Sequence, residues 1–147
     1  MVVLGRTPFY KMTRINLVPV TELANQHLLA EWREAKMVPK ALSRSLRTQS
    51  VETVAKKIPA KFTLNTGHVL FFYDKGAYLQ KRYAELTAEL VRRGFKINVA
   101  APLDPEGTMD DAPWNNDYEP TEEAIKIIRQ RISEKIAMKP DWYRWTN

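Results

Sequence analysis

The chain has 147 residues, 44% hydrophobic and 10% aromatic, a balance that suits one globular domain and not a disordered chain. It contains no cysteine, which excludes disulfides, thiolate nucleophiles and cysteine-ligated zinc, and no stretch nears the roughly 18 consecutive apolar residues of a membrane span. Lys and Arg number 23 against 17 Asp and Glu, and the net charge of +6 favours a polyanionic partner. The opening MVVLGRTPFYK turns to Arg, Pro and Lys too soon for a signal peptide, and with the lack of cysteine it fits a cytoplasmic setting.

In chain order, Thr21 is placed to cap a helix running to about Lys36, with Leu23, Leu28, Trp32 and Ala35 near one apolar side. Pro39 suits the first turn of a second helix that reaches about Arg47. Lys36, Lys40, Arg44 and Arg47 recur at spacings of four, four and three, so four cations share a face if helix continues through Pro39, and three otherwise. Ser50 can cap a short helix from Val51 to Ile58. The stretch from His68 to Lys75 is locally strand-like in composition (VLFFY), but it leads into a helix marked by Leu79, Tyr83, Leu86 and Leu90. Gly94 after Arg92 and Arg93 is a natural stop. A long loop with Pro102, Pro105, Pro113 and Pro120 follows, and Thr121 with Glu122 and Glu123 starts a last helix that ends near Met138, before Pro140.

Charge is unevenly spread. Eight of the 17 acidic residues fall between Ile97 and Ile125, where there is no Lys or Arg, so the rest of the chain carries all 23 basic residues against nine acids. One face or end can therefore be strongly positive while the acidic segment points elsewhere.

On the first helix, His27, Glu31 and Glu34 are four and three residues apart and project from one face, with Arg33 beside Glu34. Three ionisable groups on one stripe suit a site, because neighbouring charge and burial move their pKa values toward working pH. The same spacing suits a solvated face with His27 partly packed. His27 and Glu31 could also share a cation, with His68 the only other imidazole. In the tail, Trp142, Tyr143, Arg144 and Trp145 alternate rings with a guanidinium, a pattern that can stack on bases and pair with phosphate, or pin the tail to the core. Arg131 and Lys135, four apart on the last helix, extend the basic surface toward it.

Several long blocks in order carry a resemblance. MTRINLVPVTELANQHLLAEWRE (Met12 to Glu34), TGHVLFFYDK (Thr66 to Lys75), the following KRYAEL and RRGFKI, and EKIAMKPDWYRW near the end resemble the phage pyrimidine dimer DNA glycosylases, of the ultraviolet-repair endonuclease V type. The resemblance runs from Met12 to Trp145, with divergence between Met37 and Ala60 and in the acidic loop. It implies an all-α fold, a compact single-domain helical structure with long loops spanning residues 12–147, preceded by an extension of residues 1–11. It implies a monomeric enzyme acting on ultraviolet-damaged double-stranded DNA, needing no metal or organic cofactor and having no dealings with membrane, in a bacterial cell or encoded by a phage.

The family's chemistry implies the roles. The initiator Met is removed, and the exposed Thr α-amine attacks the sugar C1′ at the 5′ base of a cyclobutane pyrimidine dimer; Thr13 matches. An α-amine titrates near ~7.7–8.0, so a useful fraction is neutral at pH 7, unlike a lysine near ~10.4. The resulting imine allows β-elimination of the 3′ phosphate, which is apurinic-site (AP) lyase activity, and Glu34 matches the carboxylate that stabilises sugar charge and moves protons. Arg14 and Arg33 match residues that hold phosphates of bent DNA, Arg131 and Lys135 match further backbone contacts, and Trp142 with Tyr143 matches the aromatic tail of dimer recognition. Gln26 and His27 match supporting positions, and Arg144 belongs to the tail's DNA-binding set. Where the family has Pro then Arg after the carboxylate, this chain has Ala35-Lys36-Met37, so Lys36 replaces that Arg without its bidentate fork.

The eleven residues before Met12 set a condition. If they are retained, the Thr13 nitrogen is an amide and cannot form an imine. Three readings stay open: translation from Met12, cleavage of the extension, or a non-catalytic DNA-binding or DNA-bending protein on the same scaffold.

Overall fold

The computed structural model describes residues 14–147, and Thr13 with the extension 1–11 lies outside them. Regular structure among the described residues is helical, as expected: α1 (Asn25–Glu34), α2 (Met37–Thr48), α3 (Val51–Ala55), α4 (Gly67–Phe71), α5 (Gly76–Arg92) and α6 (Glu122–Met138). There is no strand among them, only an isolated antiparallel bridge between Lys75 and Asn115. None of the described helices is long and apolar enough to cross a membrane.

The core forms where α5 lies against α1. Leu79, Tyr83, Leu86 and Leu90 are buried on α5, and Leu28 and Trp32 meet them from α1. Each such side chain stabilises the fold by about 1.5–3 kcal/mol on burial. The Trp32 ring stacks on Tyr83 with centroids 6.0 Å apart, and its Nε1 donates to Thr87 Oγ1 at 2.9 Å, so the indole loses no hydrogen bond. Gly94 ends α5 at φ +89°, a left-handed conformation that favours glycine. Ser50 and Thr121 cap α3 and α6 as expected, accepting from the backbone N–H of Thr53 and of Ala124.

One capping expectation fails, and one stretch of strand-like composition is helical. Thr21 caps nothing: it sits in a 3-10 turn, Val20–Glu22, and α1 starts only after Ala24. Buried Arg93 explains the break, since its guanidinium donates to the carbonyls of Val20, Thr21 and Leu23, and the turn wraps around that cation. The VLFFY stretch is not extended but forms α4 and the turn after it. One helical turn points His68, Phe71 and Phe72 inward together, edge-on to Phe62 with centroids 5.4 to 6.2 Å away, a cluster that packing decides over strand propensity. In addition, α3 ends at Ala55 and α2 begins at Met37, so three cations, Lys40, Arg44 and Arg47, ride on α2 and Lys36 precedes it.

The loop between α5 and α6 is packed. Leu103, Met109 and Trp114 are buried, Tyr83 donates to the Ala101 carbonyl at 2.8 Å, and the Gly76 N–H donates to Trp114 O at 2.7 Å. A Cβ on Gly76 would sit 2.7 Å from the Met109 carbonyl oxygen, so this approach needs glycine.

Candidate active-site cleft

A cleft of about 490 Å³ opens between α1, α6, the first described residues and the tail. From α1 it receives Gln26, His27 and Glu34, from α6 Arg131 and Lys135, from the N-terminal side Arg14 and Asn16, and from the tail Trp142 and Tyr143. With Glu31, which also borders it, nine residues singled out from the sequence therefore meet in one place, although they come from segments more than a hundred residues apart.

The tail is fixed by the start of α1. The Gln26 amide donates to the Trp142 carbonyl, and its oxygen accepts from the Arg144 N–H at 3.1 Å. The Asn25 N–H, an orphan donor of a helix without a side-chain cap, donates to the Arg144 carbonyl at 2.6 Å. Trp145 Nε1 reaches the Glu22 carbonyl at 3.1 Å. So held, Tyr143 is buried with its ring 4.7 Å from that of His27, while Trp142 meets Tyr143 edge-on and stays 54% exposed at the cleft mouth.

Electrostatics is dominated by three cations and one carboxyl. Burial pushes the Glu34 carboxyl up to about 7, against a smaller opposing effect of Arg14. Glu34 Oε1 and His27 Nδ1 are buried with no hydrogen-bond partner among the described residues. Burial lowers Arg14 and Lys135, and the neighbouring charge of Arg131 lowers both further. His27 is lowered by burial and then by Lys135. Three cations are thus gathered around a carboxyl raised to about 7, a combination suited to an anionic ligand and to proton transfer.

Glu31 departs from the stripe. It is buried, and Arg82 donates to its Oε2 from Nε at 2.7 Å and to its Oε1 from Nη2 at 3.0 Å. Asn16 adds its N–H and its side-chain amide to Oε1 at 3.1 and 2.9 Å. Glu31 thus anchors the N-terminal segment, and the cation-sharing arrangement with His27 does not form. No group of three His, Cys, Asp or Glu able to hold a metal ion is gathered among the described residues. Arg82, which spacing did not single out, was signalled by a charge on the apolar face of α5.

Three predicted DNA contacts lie outside the cleft lining. Arg33 is exposed at the end of α1. Lys36 folds its ammonium over the Trp32 ring, 3.9 Å from the centroid. Arg144 turns back on its own tail, donating to the carbonyls of Asp141 and Tyr143. The basic face of α2 borders a separate cleft of about 270 Å³ shared with Asp104 and Glu106, and Ser43 Oγ donates to Glu106 at 3.1 Å.

The family model described as pyrimidine dimer DNA glycosylase matches residues 12–103, more than half of the chain. The matched span includes Arg14, His27, Glu34 and helices α1 to α5, whereas α6 and the tail, with Arg131, Lys135, Trp142 and Tyr143, lie beyond it.

Proposed function

The chain belongs to the pyrimidine dimer DNA glycosylase family, and from that premise we propose that it cleaves the glycosidic bond of the 5′ base of a cyclobutane pyrimidine dimer and then nicks the strand. As a family member it is a DNA repair glycosylase; the steps below are our reading. The α-amine of Thr13, freed by loss of residues 1–12, attacks C1′. The C1′–N bond breaks with its electron pair leaving on the base, which takes a proton, and the amine loses one proton. The nitrogen lone pair then forms C1′=N as the C1′–O4′ bond breaks and O4′ is protonated, giving the ring-opened iminium. Removal of a C2′ proton then breaks the C3′–O bond and expels the 3′ phosphate, and water hydrolyses the imine to return the amine.

Glu34 supports this reading most directly. Among the described residues, it is the carboxyl of the cleft that no cation pairs with as Arg82 pairs with Glu31, raised to about 7 and with one oxygen unpartnered. Ionised, it stabilises positive charge on the sugar; protonated, it protonates a departing or ring oxygen. Arg14, Arg131 and Lys135 suit the phosphates of DNA bent around the lesion, and Trp142, half exposed beside Tyr143, suits stacking on an unstacked base. Arg33, Lys36 and Arg144, outside the cleft, are assigned to the flanking duplex. No step calls for a metal or organic cofactor, and one copy of the domain, residues 12–147, suffices.

The test is borohydride trapping on ultraviolet-irradiated duplex with protein that begins at Thr13. A covalent adduct and a nicked strand are expected. Salt-sensitive binding without adduct or nick identifies instead a non-catalytic DNA-binding protein.

A further inference from the structure

The segment after Thr13 is held by buried side chains from distant elements. The Ile15 N–H donates to His68 Nε2 at 2.9 Å, and on the other side of the ring His68 Nδ1 donates to the Thr63 carbonyl at 2.9 Å. The ring is 2% exposed and is gripped edge-on by Phe62 and Phe72, each with its centroid 5.4 Å away. Accepting from Ile15 requires a lone pair on Nε2, hence a neutral ring, and burial pushes His68 down to about 4 despite its bond to Thr63. One residue further on, Glu31 holds Asn16. His68 itself is not among the residues that line the cleft.

We propose that His68 is a positioning residue for the attacking amine: its Nε2 fixes the backbone at Ile15, two residues after Thr13, and so limits where the Thr13 nitrogen can go. The inference rests on the reading of Thr13 as nucleophile. Two residues offer few rotatable bonds, so an anchor at Ile15 restricts the amine strongly, and release of the anchor multiplies its conformations. A misplacement of about 1 Å can cost up to about a hundred-fold in rate.

The test uses protein beginning at Thr13 and a duplex with an abasic site, which forms the imine without prior base removal. H68M removes the acceptor at similar volume, and H68Q can restore an acceptor through Oε1. A third protein replaces Ile15 by its α-hydroxy acid, which deletes the N–H donor and leaves every side chain in place. Single-turnover trapping at saturating duplex is expected to slow about ten-fold for H68M and for the ester protein, with Kd for the duplex held within about two-fold and the rate largely recovered in H68Q. Trapping at the wild-type rate by the ester protein, or equal loss of rate and affinity together with helical circular dichroism, overturns the proposal. If H68M fails to fold, the ester protein decides alone. Absence of trapping by the wild-type protein removes the reading of Thr13 and this proposal with it, whereas wild-type trapping with an unaffected ester protein removes this proposal only.

Discussion

E31Q tests the buried frame under the cleft. The Glu31 side chain is 0% exposed and that of Arg82 4%, and Glu31 accepts four hydrogen bonds, two from Arg82 and two from Asn16. Glutamine keeps the shape but turns an NH₂ toward one of these donors and removes the charge opposite the Arg82 guanidinium, which keeps only one amide oxygen and the Val18 carbonyl as acceptors. Removing one partner of a buried pair costs about 3–5 kcal/mol, because the other charge stays buried without compensation. For a chain of this size that corresponds to a fall in Tm of roughly 6–20 °C. The exposed pair Lys81–Asp117, 67% and 57% exposed, provides the contrast: D117N should leave the unfolding midpoint essentially unchanged. Urea unfolding followed by far-ultraviolet circular dichroism measures both. An E31Q protein within about 1 kcal/mol of wild type, at unchanged m-value, would refute the reasoning that this ion pair holds the segment.

Three further outcomes follow from the charges. Because the folded state raises Glu34 from 4.5 to about 7, its contribution to stability is complete below pH 4.5 and is lost as pH rises through 7; E34Q should be the more stable protein at about pH 8, with the difference fading on acidification. A wild-type protein as stable as E34Q at that pH contradicts the raised carboxyl. K135A should lower the slope of log binding constant against log salt by about 1 and raise the His27 pKa, read by NMR; an unchanged slope would take Lys135 off the phosphate backbone. Glu89 is held down to about 2, first by the hydrogen bond from Arg92 and also by Arg93, so its stabilisation is full above pH 4.5 and lost as pH falls toward 2. The stability gap between wild type and E89Q should close over that interval, and a gap constant with pH would refute it.

What could be read from the sequence was local or patterned. Ser50, Thr121 and Gly94 each act within one turn of themselves, so their caps and stop were visible. The α5 core stripe and the shared stripe of His27 and Glu34 follow from helical period alone. What failed depended on long-range partners. Thr21 could not reveal Arg93, which lies 72 residues on and takes the carbonyls of its turn. Glu31 shares the spacing of His27 and Glu34, but Arg82, 51 residues away, withdraws it into the core. VLFFY has strand composition, yet Phe62 and His68 supply a cluster that only a helical turn can fill. The meeting of Arg131, Lys135 and Tyr143 with α1 was expected from resemblance and not from any local signal, since Gln26 fixes the tail across more than a hundred residues.

The most direct measurement is peptide mapping of the borohydride-trapped adduct formed by protein that begins at Thr13. The account predicts that mass spectrometry finds the sugar remnant on the α-nitrogen of the Thr13 peptide, with no adduct from a protein whose α-amine is blocked. A remnant on Lys135 or another lysine, or an adduct undiminished by the block, would contradict it.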